Sequence, residues 1–336
     1  MRHPLNIIPP DLPAALRAAL EQKAQGLSRN DAARRAAAIS QAYRSGKSSI
    51  AIRSETDALA YALARMPATY AAVIASLNAL REVRQDFTPQ SLLDVGAGPG
   101  TAAWAAAQAF ESMNGLSAID ANPALRALAL DLVREESRLS TLRYTQSEAS
   151  AGLRDAASAD LVIASYVIGE LTADRQAALA DALWTKTSDT LLVVEPGTPA
   201  GYARIMALRS HLVAQGAHAI VPCPHDGECP LAAPDWCHFV QRLPRLRAHK
   251  HLKGAELPFE DEKFSYVALS RAPSPQHPAR VLAQPLVTKV AVSAKLCTPQ
   301  GLVLATIPRR DKSAYARYRK FDWGDAVFGS DNSHAE

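Results

Sequence analysis

The sequence contains little cysteine, few aromatic residues and no long uninterrupted apolar run. Cysteine occurs four times in 336 residues, and aromatic residues make up 6% of the chain. So few cysteines argue against a small, disulfide-stapled secreted protein, and no uninterrupted apolar run approaches the ~20 residues that span a bilayer. The first twenty residues lack the apolar segment of a signal peptide. We therefore expect a cytoplasmic protein that is not embedded in a membrane.

The net charge of +4 conceals an uneven distribution of charge along the chain. Residues 86–240 hold 9 Lys and Arg against 18 Asp and Glu, whereas residues 241–320 hold 16 Lys and Arg against 5 Asp and Glu, a net charge of +11. A basic block beside an acidic core favours a polyanionic partner, and nucleic acid is the first candidate. A solvated basic surface accounts for the same pattern about equally well.

Hydrophobic residues form 48% of the chain, which is enough for a substantial core. In the N-terminal part of the chain, apolar residues recur at the spacing of helices, and Pro67 is expected to kink or break the last of these helices. Short apolar runs then alternate with helical stretches, which predicts a doubly wound, mostly parallel α/β sheet. The predicted regions are an N-terminal helical region (1–85), an α/β domain (86–271) with an insertion (221–254), a basic β-rich extension (272–320) and a mobile tail (321–336).

A glycine-rich turn follows the first predicted strand. In the stretch DVGAGPG, Asp94 precedes three alternate glycines, Gly96, Gly98 and Gly100, and the next residues predict a helix. The dinucleotide-binding fingerprint G-x-G-x-x-G/A requires Gly or Ala where this chain has Thr101. The turn instead resembles motif I of S-adenosylmethionine-dependent methyltransferases. The alternative is a glycine turn that binds no ligand.

Further candidate ligand-binding residues stand at the ends of the next strands. Asp120 ends the second predicted strand, where an acid can accept hydrogen bonds from both hydroxyls of a ribose. Ser165 and Tyr166 end the fourth predicted strand and are expected to line the same cofactor. Glu170 and Glu195 are the nearby acids, but neither can be assigned as a catalytic base. Methyl transfer, if the chain catalyses it, would be an in-line displacement onto a base held beside Tyr166 and Glu170.

Three of the four cysteines stand close together in a loop rich in Pro and His. Their spacing is C-x5-C-x7-C, and 59 residues separate the third cysteine from the fourth. Zinc knuckles use tighter pairs, so the longer spacers favour an iron–sulfur cubane, while His225 and His238 keep zinc open. Four unrelated buried thiols are the remaining alternative. The four cysteines are Cys223, Cys229, Cys237 and Cys297.

Several longer stretches resemble the methyltransferase-like family of small-ribosomal-subunit proteins, known from mitochondrial ribosome assembly and with bacterial relatives. These stretches are YALARMPATYAAV, SLLDVGAGPGTAAWA, VVEPGTPAGY, PCPHDGECPL with DWCHFVQRLPR, and HLKGAELPFEDEKFSYVALSR. The resemblance implies a class I methyltransferase fold with an N-terminal helical region. It also implies a 4Fe-4S cluster and a role with the small ribosomal subunit during its maturation. The cluster ligands it implies are Cys223, Cys229, Cys237 and Cys297.

Two basic segments are candidate contacts with the rRNA of the small subunit. Residues 242–254 follow the third cysteine, and residues 309–320 interleave Tyr315 and Tyr318 with Arg and Lys. Such segments bind phosphates and stack on unpaired bases, although solvated helix faces have the same composition. The alternatives are a non-catalytic ribosome-assembly factor and a small-molecule methyltransferase with structural zinc. The Ala- and Arg-rich composition, without a recognisable transit segment, predicts a monomeric bacterial member in the cytoplasm.

Overall fold

The structure is a computed structural model that describes residues 6–44, 51–134, 136–245 and 257–328. The helices are α1 (Ala14–Ala24), α2 (Arg29–Arg44), α3 (Glu55–Val83), α4 (Thr101–Ala109), α5 (Pro123–Leu132), α6 (Ala149–Asp155), α7 (Ala173–Lys186), α8 (Pro199–Val213) and α9 (Lys312–Tyr318). The strands are β1 (Ser91–Val95), β2 (Gly115–Asp120), β3 (Arg143–Gln146), β4 (Ala159–Ser165), β5 (Thr187–Pro196), β6 (His218–Val221), β7 (Phe239–Pro244), β8 (Phe259–Ser270), β9 (Ala279–Val281), β10 (Leu286–Val287), β11 (Ala291–Thr298), β12 (Gly301–Pro308) and β13 (Ala326–Val327).

The first sheet has the strand order β3-β2-β1-β4-β5-β8-β6, and β7 also pairs with β8. Strands β1 to β5 pair in parallel, whereas β8 runs antiparallel to β5. The central strands β1, β4 and β5 are mostly buried on both faces, as expected for the interior of a parallel sheet covered by helices. This order, with one reversed strand near the edge, confirms the predicted class I methyltransferase fold.

Neighbouring residues of each central strand face different helices. Leu92 belongs to the core formed with α1 to α5, whereas Leu93 belongs to the core formed with α6 to α8. This alternation follows from the two-residue period of a strand. Strands β1, β2 and β4 run in parallel and end at the same edge of the sheet, and this edge carries the glycine turn.

Helix α3 runs without a break from Glu55 to Val83, although Pro67 lies inside it. The predicted break is therefore absent. Proline costs about 3 kcal/mol in a helix interior, but the helix buries apolar residues over its whole length against α4 and the sheet. A capping box between Ser54 and Asp57 fixes its start.

Among the described residues, α3 alone is long and apolar enough to cross a membrane by length and composition. Of its apolar window, 78% is buried inside the protein. This helix has no long uninterrupted apolar run, but its many alanines give it a high average hydropathy. The same composition suits a core helix that packs closely against its neighbours.

The second sheet has the order β10-β11-β9-β13, with β12 also paired to β11. A tight turn joins β11 to β12, where Thr298 faces Gly301 and Gly301 has a φ of +124°. Residues 321–328, from the predicted tail, lie along this sheet. Ala326–Val327 pairs with β9, and the Val327 side chain is fully buried in the core of the sheet. The remainder of that tail lies outside the described residues.

The cysteine loop connects β6 to β7, and both strands pair with β8. The loop is thus tied to one strand at each of its ends. Residues 246–254 of the predicted insertion lie outside the described residues.

Candidate cofactor site and cysteine cavity

The three glycines of the turn all adopt left-handed backbone conformations. Gly96, Gly98 and Gly100 have φ values of +71°, +53° and +81°. A Cβ on Gly96 would lie 2.6 Å from a methyl of Val167, whereas a Cβ on Gly98 would meet nothing within 4 Å. The turn therefore needs glycine for its path, and at Gly98 it presents backbone to open space.

Asp120 lies at the end of β2, directly beside this turn. Its Oδ2 accepts a hydrogen bond from the Gly98 amide at 3.0 Å, and its Oδ1 accepts one from the Asn122 amide at 2.8 Å. Burial raises the pKa of Asp120, and both backbone hydrogen bonds oppose that rise. The carboxylate is thereby fixed at the open side of the turn, with lone pairs left for a ligand's hydroxyls.

Asp94, at the end of β1, is fully buried, and neither of its carboxylate oxygens has a hydrogen-bond partner among the described residues. Burial and the nearby charge of Asp120 raise the pKa of Asp94 to about 8, and the Ala103 backbone amide opposes this rise. A buried polar group without a partner is costly. Open backbone at Gly98, a fixed Asp120 and an unpartnered Asp94 fit a ligand with a ribose and an ammonium group.

Ser165 and Tyr166 close the same edge of the sheet at the end of β4. Tyr166 is a non-glycine residue with a φ of +59°, an uncommon conformation that often accompanies functional sites. Its hydroxyl donates to Glu262 Oε1 at 2.9 Å, and Arg65 forms an ion pair with that oxygen at 3.4 Å. Sequence reasoning missed Glu262 and Arg65, because their strand and helix meet Tyr166 only in the folded chain.

The two acids considered for catalysis have different environments. Glu195 is buried, pairs with Arg204 at 2.8 Å and accepts a hydrogen bond from the Ile168 amide. It therefore anchors the loop after β4. Glu170 ends a short 3-10 helix, Ile168–Glu170, and keeps access to solvent. The atoms packed around it, followed by the charges of Asp120 and Glu195, raise the pKa of Glu170 to about 7.

All four cysteines line one cavity, so the structure brings the remote Cys297 beside the three loop cysteines. The cavity also has walls from α8 and β8. The hydroxyl of Tyr202, on α8, lies 3.1 Å from Cys229 Sγ and donates to it. Burial raises the pKa of Cys297 to about 12, and the other cysteine thiols add to this rise. The sulfurs therefore sit close enough to influence one another.

The four thiols do not converge on a single point. In the part of the chain that the structure describes, no three His, Cys, Asp or Glu side chains are grouped as they would be around one metal ion. His225 Nε2 lies 3.9 Å from Cys297 Sγ, and His238 stacks on Trp236. The cavity has the donor set for a metal–thiolate centre but not the compact geometry of a closed zinc site.

The predicted basic segments are only partly available for RNA. Tyr318 is fully buried under the second sheet, so it cannot stack on a base, and the Tyr315 hydroxyl donates to the Thr288 carbonyl. Arg242 pairs with Asp261. The exposed basic side chains at and beside α9 are Arg309, Arg310, Lys312, Arg319 and Lys320.

A profile of the family described as mitochondrial small ribosomal subunit Rsm22 matches residues 55–328. The chain belongs to the Rsm22 family. The human ribosome assembly protein METTL17, mitochondrial, is 29% identical to this Rsm22 family member over 289 aligned residues, and the match covers 80% of this chain and 62% of METTL17. The mitochondrial Rsm22-cox11 tandem protein 2 of Schizosaccharomyces pombe is 28% identical over 81% of this chain and 43% of its own length. The chain thus spans less than two thirds of these relatives.

Solved methyltransferases have lower similarity to this chain. Magnesium protoporphyrin IX methyltransferase (ChlM) from Synechocystis, with bound S-adenosylmethionine, has a TM-score of 0.39 and 12% identity over 65% of this chain and 84% of ChlM. The N-methyltransferase NodS from Bradyrhizobium japonicum has a TM-score of 0.38 and 12% identity over 62% of this chain and 88% of NodS. The fold assignment rests on the strand order of the first sheet.

The cytoplasmic location predicted from the sequence is wrong. The matching family and the relatives named above are described as mitochondrial, which points to the mitochondrion. That prediction relied on overall composition and on the first residues of the sequence, and neither is tied to the residues that define the family.

Proposed function

We propose that this Rsm22 family member binds S-adenosylmethionine at the glycine turn and acts in the assembly of the small ribosomal subunit. The observation that carries the cofactor assignment is the fixed carboxylate of Asp120 beside open backbone at Gly98. When bound, the cofactor supplies an activated methyl group. The family and its relatives, one of them named a ribosome assembly protein, support the assembly role.

Each residue of this edge has a defined part in holding the cofactor. Asp120 accepts hydrogen bonds from the ribose hydroxyls, and Gly98 lets the ligand approach the backbone. Asp94 orients the ammonium group through a water molecule, which gives the buried carboxylate the partner it lacks. Ser165 and Tyr166 line the opposite side of the ligand.

The acceptor side supports two candidate functions. Glu195 is engaged by Arg204, and the Tyr166 hydroxyl is engaged by Glu262, which favours an assembly factor that binds the cofactor without turnover. Glu170, with a pKa of about 7, is the acid suited to accept a proton near neutral pH. An rRNA methyltransferase would therefore depend on Glu170, and the Glu170→Gln variant would separate the two functions.

The same proposal includes a 4Fe-4S cluster held by Cys223, Cys229, Cys237 and Cys297. Four thiols around one cavity, without convergence on a point, favour an inorganic core larger than one ion. Zinc remains the second candidate. The cluster would join the cysteine loop to β11 and so fix the second sheet, with its exposed basic residues at α9, against the first. That surface is the proposed rRNA contact.

The cofactor site is tested by equilibrium binding of S-adenosylmethionine to wild type, Asp120→Ala and Asp155→Ala. Asp155 is an exposed acid at the end of α6 and serves as the matched control. We expect Asp120→Ala to weaken binding at least tenfold and Asp155→Ala to bind like wild type. Equal affinity of the two variants, or no binding by wild type, would refute the assignment.

The partner is tested by crosslinking the chain to RNA in cells and sequencing the bound sites. We expect enrichment of small-subunit rRNA with wild type and with Asp120→Ala. Reads spread over unrelated RNAs would contradict the proposed partner. Comparison of rRNA methylation between the two strains then distinguishes catalysis from assembly alone.

A further inference from the structure

Two arginines are buried beside the cysteine cavity. Arg209, on α8, is 2% exposed, and Arg280, on β9, is 1% exposed. Arg280 stands directly opposite Cys297 in the pairing of β9 with β11. Arg209 donates a hydrogen bond to the backbone carbonyl of His225, two residues from Cys223. Both arginines therefore lie beside residues of the cavity.

Neither arginine has an ion-pair partner within 4 Å among the described residues. Arg209 Nη2 donates to the His225 carbonyl, and Arg280 Nη1 donates to the Gly324 carbonyl at 2.8 Å. The Nε of each arginine is buried without an acceptor. The charge of Arg280 reaches Asp325, but that carboxylate forms no ion pair with it. Buried charges of this kind are rare unless an anion compensates them.

We propose that Arg209 and Arg280 are the built-in counter-charges of a doubly negative metal–thiolate centre on the four cysteines. This inference rests on the proposed cluster. Four thiolates around an oxidised 4Fe-4S core with two positive charges carry a net charge of minus two. The two guanidinium charges balance it. The two residues are positioning residues, because they act through the cluster.

The sign of this effect on reduction follows from charge. Addition of one electron takes the thiolate-ligated centre from minus two to minus three, and nearby positive charge stabilises the more negative form. Removal of either arginine charge therefore makes the cluster harder to reduce. In the protein without a cluster, the arginines lower the stability of the fold, because the thiols are then neutral and the two guanidinium groups are buried charges without an anion.

The test uses the full chain purified without oxygen, with Arg209→Met, Arg280→Met and the charge-conserving Arg209→Lys and Arg280→Lys variants. The matched control is Arg84→Met, because Arg84 is also buried but pairs with Asp86 and Asp189. Iron and acid-labile sulfide are measured per chain. The midpoint potential is measured by titration with dithionite under EPR detection, and thermal unfolding is followed with and without the cluster.

We expect each Met variant to lose at least half of the iron and sulfide. In the clusters that remain, we expect the reduction equilibrium to shift at least tenfold against the reduced form, which is about 59 mV for one electron. The Lys variants should retain more cluster than the Met variants. Without the cluster, the Met variants should melt at or above the temperature of wild type, whereas Arg84→Met should melt lower in both forms.

The outcomes separate this inference from the proposed cluster. If wild type holds iron and sulfide, and the Met variants match it in content and potential, the inference is wrong and the cluster stands. If wild type holds neither iron nor sulfide, the cluster proposal fails and the inference fails with it. Met variants that do not fold, or that melt lower than wild type without the cluster, would assign the arginines a structural role and overturn the inference.

Discussion

The residues of the glycine turn follow one another along the chain, whereas those of the cysteine cavity come from a loop, a helix and a strand of the second sheet. The turn is held by hydrogen bonds to the end of β2, since the Gly96 amide donates to the Ile119 carbonyl at 2.8 Å and the Gly98 amide donates to the Asp120 side chain. The cavity instead gathers neutral thiols and buried cations. The first region is organised without a ligand, while our proposal gives the second a negatively charged centre that balances its buried cations.

The largest expected effect comes from Cys237→Ser, which removes one cluster ligand. We expect complete loss of bound iron, because three cysteines leave the core incompletely ligated, and faster proteolysis of residues 272–328. Affinity for S-adenosylmethionine should stay within about twofold, because the glycine turn does not depend on the cavity. Iron assay, limited proteolysis and equilibrium binding measure these effects.

The control for Cys237→Ser is Ser293→Ala, a change on β11 away from the cavity that should leave iron and proteolysis unchanged. A parallel loss of cofactor affinity in Cys237→Ser would show that the two regions are not independent.

A smaller effect is expected from Gly96→Ala, with Gly216→Ala as its matched control. Both glycines have positive φ, +71° and +90°, but only a Cβ on Gly96 meets a neighbour, Val167, at 2.6 Å. Each substitution costs about 1–2 kcal/mol for the left-handed backbone, and overpacking at Gly96 adds about 1–3 kcal/mol. Urea unfolding and cofactor binding measure the difference. If the two variants are destabilised equally, packing against Val167 is not a reason for glycine at position 96.

The smallest effect is expected from Asp94→Asn in the protein without cofactor. The raised pKa of about 8 means that folding favours the protonated acid, so its contribution to stability is complete below about pH 4 and is lost as pH rises towards 8. The amide introduced by this substitution carries no charge at either pH, and we expect a gain of about 1–3 kcal/mol at pH 8 and little change at pH 5. Urea unfolding at both pH values checks this.

Asp181→Asn is the control for the pH experiment, because the side-chain hydrogen bonds from Gln215 and His211 lower the pKa of that exposed carboxyl. It should give no gain at pH 8. A flat difference between Asp94→Asn and wild type across this pH range would contradict a buried, unpartnered carboxyl.

Local sequence patterns predicted the fold and indicated two candidate sites, because strands and short motifs can be recognised from neighbouring residues. The glycine turn, the acid that ends β2 and the cysteine spacing are all of this kind. The continuity of α3 through Pro67, the burial of Tyr318 and the burial of Arg209 and Arg280 depend on tertiary packing. No spacing rule places an arginine of β9 opposite Cys297.

Strand β8 has a consequence for how the protein tolerates change. Its Glu262 holds Tyr166 at the edge of the cofactor region, and its Ser265 donates to the Cys237 carbonyl at 2.8 Å in the wall of the cavity. Loss of a single residue from a strand sends every following side chain to the opposite face. A one-codon deletion in β8 ahead of Glu262 would therefore displace both contacts together, so the register of a single strand sets the geometry of both regions.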